Sequence, residues 1–252
     1  MLGMVPYNRR FFLEKLLRFG AGFTGLVLLN GCTAEYVSRQ PICDEGPVLK
    51  LLPPDSGLTL YGGDEHSIRW VAACVDFVRI EFSRNNGIDW MAIAEKVQAA
   101  AGQFSWEVPQ ISSELTLFRL VEISSNKVLA ISEAPMVLIP KLLLVLKNHP
   151  ELAKVGGVLT LDRPAFGMFS IVRTGEATFK VLNLNCTHSG CPVGIDNNGE
   201  SWLCPCHGSQ FSKLGCVLRG PARRPLSVYD HKFDASSGQL IVYNILSEPS
   251  SC

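Results

Sequence analysis

Cys186-Thr187-His188-Ser189-Gly190-Cys191 and Cys204-Pro205-Cys206-His207-Gly208-Ser209 decide how this chain is read. Each box offers a Cys and a His that can ligate a metal, plus a second Cys. Thiolates are soft and anionic and stabilise ferric iron, whereas neutral imidazoles bind the same metal without adding charge. Asp196-Asn197-Asn198-Gly199 reads as the turn that carries the chain from one box to the other.

Residue by residue, the two boxes resemble those of the Rieske 2Fe–2S family, in which two His replace two Cys on one iron. The resemblance covers about residues 141–245. It implies that Cys186 and Cys204 bind a buried ferric iron, and that His188 and His207 bind a second iron near the surface. It further implies a disulfide between Cys191 and Cys206, the mark of the quinol-oxidising, high-potential branch. Ser209 would donate a hydrogen bond to a cluster sulfide and favour the reduced form. Gly220-Pro221-Ala222 resembles the loop that covers the cluster, with Gly220 allowing close approach and Pro221 stiffening it. Replacing two thiolates by imidazoles makes the oxidised cluster formally neutral, so it accepts an electron more readily. Potentials in the class run from roughly −150 to +300 mV, against about −400 mV for plant-type ferredoxins. A coordinated imidazole can also lose its second proton, which couples proton to electron.

Three departures qualify the match. Phe211 stands where that branch carries Tyr, which removes a hydroxyl donor and implies a potential below the top of the range. Ser189 replaces the Leu of the apolar docking tip in quinol-oxidising relatives. Residues 43–140 stand where those relatives have a membrane helix and hinge. Paired Cys and His loops also describe a structural zinc site. Zinc has no use for the second Cys of each box, for Gly208-Ser209 or for the Gly220-Pro221 loop.

The chain has 252 residues, enough for one or two domains, and 47% hydrophobic content is enough to fill ordinary cores. Net charge is zero with no basic stripe, which excludes nucleic acid as a partner. Nine Cys are many for a reduced cytosolic protein. Asn8-Arg9-Arg10-Phe11-Phe12-Leu13 resembles a twin-arginine export signal, and Leu29-Asn30-Gly31-Cys32 resembles a lipobox. The apolar run between them is shorter than the ~20 residues a membrane span needs. Residues 1–31 thus read as a signal segment, Cys32 as a lipidation site and 32–42 as a tether, with an uncleaved anchor helix as the alternative. Either places the protein on the extracytoplasmic side of a bacterial membrane. Cys43–Cys74 and Cys216–Cys252 are the pairings expected of the remaining Cys, among three connectivities, with free buried thiols as the alternative.

Residues 43–140 read as a β-sandwich. Ile68–Ala72, Phe77–Ser83, Leu117–Ile123 and Val128–Ile131 alternate as strands, with turns at Asn85-Asn86-Gly87 and Ser125-Asn126. Glu95–Ala101 reads as a helical turn or a bulged connection. This part resembles bacterial immunoglobulin-like modules through Trp70, Val78–Ile80, Asn85–Trp90 and Phe104–Pro109. It implies a spacer, and Trp90 and Trp106 are expected in its core rather than at a sugar site. Residues 141–252 are expected to be an antiparallel β domain with a cluster-binding subdomain inserted at 184–222. Base strands are expected at Leu142–Leu146, Val158–Asp162, Phe166–Thr174, Thr178–Leu184, Leu226–Tyr229 and Gln239–Asn244. His149-Pro150-Glu151-Leu152 reads as a short helical turn, and His66, His149 and His231 read as surface or satisfied core residues.

The chain is therefore expected to be all-β and to pass single electrons through one 2Fe–2S cluster to a redox partner protein. It would be a subunit of a quinol-oxidising complex or of an exported oxidoreductase. The alternative from another class is an extracytoplasmic binding or adhesion lipoprotein in which the cluster is sensory or structural.

Overall fold

Hydrophobic alternation sets the first half. In the computed structural model, which describes residues 43, 46–53, 58–249 and 252, strand follows strand. Residues 1–42, on which the expected signal segment 1–31, the expected tether 32–42 and the expected lipidation at Cys32 fall, lie outside the described residues. The strands are β1 (Val48–Leu51), β2 (Thr59–Tyr61), β3 (Glu65–Ala73), β4 (Phe77–Ser83), β5 (Met91–Gln98), β6 (Gln103–Glu107), β7 (Ser113–Glu122), β8 (Lys127–Ile131) and β9 (Met136–Ile139). One sheet has the order β1-β3-β6; the other runs β2-β9-β7-β4-β5, with β8 also paired to β7. Both contribute to a single core. Ile68, Trp70 and Trp106 from the first meet Val78, Ile80, Phe118, Leu120 and Leu138 from the second. Trp106 sits 5.2 Å from the rings of both Phe82 and Phe118. The Cys43–Cys74 disulfide closes the edge of this unit.

One expectation shifts here. Trp90 lies outside the core cluster, with the Arg119 guanidinium 4.3 Å over its ring and its indole N–H donating to the Gly87 carbonyl at 2.9 Å. Arg119 is held there by Glu81, which also takes a 2.7 Å bond from Arg79. A cation thus covers an aromatic face that apolar neighbours were expected to bury. Glu95–Ala101 proves to hold both expected features: β5 runs to Gln98 with a register shift opposite Val78 and Ile80, and Ala99–Ala101 forms a single 3-10 turn.

The chain then enters the second half with no intervening segment but Pro140. Its strands are β10 (Lys141–Val145), β11 (Val158–Arg163), β12 (Gly167–Arg173), β13 (Phe179–Asn183), β14 (Gly194–Ile195), β15 (Ser201–Leu203), β16 (Gln210–Ser212), β17 (Val217–Arg219), β18 (Val228–Asp234) and β19 (Gln239–Ser247). β10-β19-β18-β13-β12-β11 form the base sheet, and β14-β15-β16-β17 form a small sheet inserted between β13 and β18. β18 starts later than Leu226 and runs on to Asp234. The charges of Asp230, His231 and Lys232 hide its alternation in the sequence, while Tyr229 still packs inward. The base core gathers Phe166, Phe169, Ile171 and Tyr229. A second core, between base and insertion, holds Leu182, Leu184, Trp202, Phe211 and Leu226 together with Cys186 and Cys204.

The two halves touch through specific contacts. Lys141 pairs with Asp64, and its backbone N–H donates to Gln110 Oε1 at 3.0 Å. Tyr61 and Tyr243 rings lie 4.9 Å apart. Among the described residues, no helix is long and apolar enough to cross a membrane.

Trp202 anchors the insertion. It is buried, faces Ile195 and Phe211 across the small sheet, and donates to the Lys213 carbonyl at 3.2 Å. Trp202→Ala should lower stability by roughly 3–5 kcal/mol. Chemical denaturation, with the visible absorption of the cluster as a second probe, checks both the loss and its location.

Candidate metal centre

Both boxes fold into the same backbone frame. The Cys186 N–H donates to the Cys191 carbonyl at 2.8 Å, and the Gly190 N–H returns to the Cys186 carbonyl at 2.7 Å. In the second box the Cys204 N–H donates to the Ser209 carbonyl at 2.8 Å, and the Gly208 N–H returns to the Cys204 carbonyl at 3.0 Å. Each frame closes through a left-handed residue at its fifth position, Gly190 at φ +77° and Gly208 at φ +72°. An L side chain there costs roughly 1–2 kcal/mol, which explains glycine at both. The first position is Cys in both frames; the His comes third in one and fourth in the other.

This frame separates the donors by depth. Cys186 and Cys204 are buried and free, while His188 and His207 are exposed. Cys191 and Cys206 are joined in a disulfide, so they have no thiolate to offer. Their sulfurs and Cys204 Sγ all lie within 4.8 Å of one another, which packs the bridge directly against the site. The two imidazole rings lie 4.9 Å apart at 84°. Ser189 Oγ lies 3.1 Å from His188 Nδ1 and 3.4 Å from His207 Nδ1, so both Nδ1 atoms face a common point. Burial alone would raise the Cys186 thiol. The His188 and Ser189 backbone, the Cys204 side chain and the Ser209 hydroxyl outweigh it and hold the thiol below its ordinary range.

The segregation bears on zinc. Ligand atoms about 2.0–2.3 Å from one tetrahedral ion lie within about 4 Å of each other. Among the described residues, no set of three donors within 4.8 Å joins an imidazole to this thiol pair. Two separate pairs suit two metal atoms and do not suit one.

Around the donors, Ser209 is fully buried and its hydroxyl accepts the Ala222 N–H at 3.0 Å, fixing the Gly220-Pro221-Ala222 loop over the site. The Gly220–Pro221 peptide is cis and both residues are exposed. Phe211 is fully buried opposite Trp202. Two further contacts tie this loop down, and sequence reasoning missed both. Thr187 Oγ1 donates to the Arg224 carbonyl at 2.6 Å, and Arg219 Nε donates to the Gly208 carbonyl at 3.1 Å. Neither residue type is metal-binding, and neither spacing is local, so no signal marked them. A third disulfide, Cys216–Cys252, fastens the loop between β16 and β17.

Fold and site together define a β protein whose inserted subdomain presents two cysteine thiols and two histidines on paired loops. Residues 146–230 match the model of the Rieske [2Fe-2S] domain, and this part of the chain is a Rieske domain. The ubiquinol-cytochrome c reductase iron–sulfur subunit of Blastochloris viridis is 43% identical over 63 residues, which is 25% of this chain and 35% of that protein. The cytochrome b6-f complex iron–sulfur subunit of Trichodesmium erythraeum is 47% identical over 60 residues, 23% of this chain and 32% of that protein. The chain thus spans about a third of the length of these curated relatives. Among solved structures, the plasma-membrane Rieske protein of Synechocystis PCC 6803 is 32% identical, with 37% of this chain and 92% of that one covered and a TM-score of 0.31.

The cofactor of the domain is a 2Fe–2S cluster, and the residues present fit it. Cys186 and Cys204 would hold the inner iron, and His188 and His207 the outer. A hydrogen bond to a charged group contributes about 1.5–3 kcal/mol, or about 60–130 mV for one electron. Ser209→Ala should therefore lower the midpoint potential by up to that amount while leaving the spectrum of the centre in place. An EPR-monitored redox titration reads the shift.

Proposed function

We propose that this chain transfers one electron at a time through its cluster to a redox partner protein at the extracytoplasmic face of a bacterial membrane. The observation that carries this reading is the separation of a buried thiol pair from an exposed imidazole pair. The cluster supplies reversible one-electron chemistry. Cys186 and Cys204 anchor it inside the apolar core with Trp202 and Phe211, which exclude water from the inner side. His188 and His207 bring its other side to the surface, where a partner can approach. Ser209 stabilises the reduced state through the sulfur it faces.

Three disulfides support an oxidising compartment. The sequence of residues 1–32, with its Arg9-Arg10 pair and Cys32, supports export and a lipid anchor. Two relatives are by name subunits of the ubiquinol-cytochrome c reductase and cytochrome b6-f complexes, which supports a place in such a chain. Ser189 favours an exported oxidoreductase partner over direct quinol contact. It puts an exposed hydroxyl between the two imidazoles, where an apolar ligand would need an apolar surface.

The test is a potentiometric titration of residues 33–252, followed by EPR at several pH values. As iron ligands, His188 and His207 would couple a proton to the electron, so the potential should fall as pH rises. A clearly positive potential with that slope supports quinol oxidation. A potential near or below zero supports the oxidoreductase partner. Absence of a Rieske spectrum after reconstitution overturns the proposal.

A further inference from the structure

The whole chain balances 23 Lys and Arg against 23 Asp and Glu, yet the surface around the imidazoles does not. The covering segment Leu218-Arg219-Gly220-Pro221-Ala222-Arg223-Arg224-Pro225 carries three arginines and no carboxylate, and neither box contains one. Arg219, Arg223 and Arg224 are all exposed. The segment is pinned beside both histidines. Arg219 bonds to the carbonyl of Gly208, next to His207, and the Arg224 carbonyl takes the hydroxyl of Thr187, next to His188. Asp196 and Glu200, the carboxylates closest to the boxes in sequence, sit in the turn at the closed end of the β14–β15 hairpin. The boxes leave from its open end, and Asp196 is already engaged by Ser201 Oγ at 2.6 Å. Among the described residues, one carboxylate pairs with these arginines: Glu248, 3.4 Å from Arg224, with both side chains exposed. Arg223 has no ion pair among the described residues. The covering segment and the second box also expose apolar groups, Leu218 at 60% exposure with Pro205 and Pro221.

We propose that this arginine collar is the docking surface for an acidic one-electron redox protein. The inference rests on the electron-transfer reading above and adds the chemistry of the partner. Like an interface, the collar combines exposed apolar groups with charges of one sign, and such charges steer an oppositely charged partner into register. Docking there brings the partner's cofactor to the histidine side of the cluster. One electron leaves the reduced iron pair and enters the partner's oxidised metal, with no bond made or broken. An anionic lipid surface is the weaker occupant, because lipid recognition takes clusters of about four to eight basic residues.

The full chain, loaded with its cluster, is titrated by calorimetry with plastocyanin as an acidic copper protein and cytochrome c as a basic haem protein. Salt is set at about 20 mM and about 200 mM, which shortens screening from roughly 20 Å to below 10 Å. Plastocyanin should bind at low salt and weaken about tenfold at high salt and about tenfold again in Arg223→Glu, while cytochrome c fails to bind. Lys127→Glu on β8 makes the same change in net charge far from the boxes and should leave binding unchanged. Melting temperature and EPR spectrum confirm that Arg223→Glu is folded. The proposal is overturned if plastocyanin does not bind, if Arg223→Glu binds it like the parent, or if Lys127→Glu loses as much. Tighter binding to phosphatidylglycerol vesicles than to plastocyanin overturns it in favour of a lipid surface. A missing Rieske signal in the same samples would instead defeat the cluster reading, since calorimetry reads the collar independently of it.

Discussion

The separation of the two boxes is the constraint on which the rest of the domain depends. Each frame is local, closed by its own two backbone hydrogen bonds, but a cluster needs both at one distance. The Cys191–Cys206 bridge sets that distance covalently. A bridge of this kind is worth ~2–4 kcal/mol in typical cases, largely by limiting the unfolded chain. Its sulfurs lie against Cys204, so the covalent brace and the ligand share one packed environment.

Below the boxes, the small sheet turns this brace into a rigid platform. Ile195, Trp202, Phe211 and Val217 are paired in register and so share one face. Trp202 and Phe211 bury completely against Leu182, Leu184 and Leu226 of the base. Above the boxes, the covering segment is held by three hydrogen bonds from three different places: Ser209 to Ala222, Thr187 to Arg224 and Arg219 to Gly208. The inner side of the site is thereby dry and the outer side open, which suits a centre that must be protected yet exchange electrons.

The first half meets the base sheet through Lys141–Asp64, Lys141–Gln110 and the Tyr61–Tyr243 contact, with Pro140 alone between β9 and β10. Nothing in that junction resembles a long flexible linker. The two halves are therefore joined by direct side-chain contacts as well as by the chain itself.

The sequence by itself determined the donor types, the frame glycines and the all-β class, because all three are local properties. A Cys and a His within one turn of a loop must lie near each other, Gly190 and Gly208 mark backbone that other residues resist, and alternation of period two specifies strands. The depth of the two donor pairs was implied by the family resemblance of the boxes, whereas tertiary structure alone decided the strand order of each sheet, the place of Trp90 beneath Arg119 and the length of β18. It also decided that Thr187 and Arg219 hold the covering loop and that three exposed arginines lie on the segment tied down beside both boxes. These depend on contacts between residues far apart in the chain, such as Thr187 with Arg224. No periodicity or motif encodes such contacts, since they arise only once hydrophobic burial has fixed which loops become neighbours.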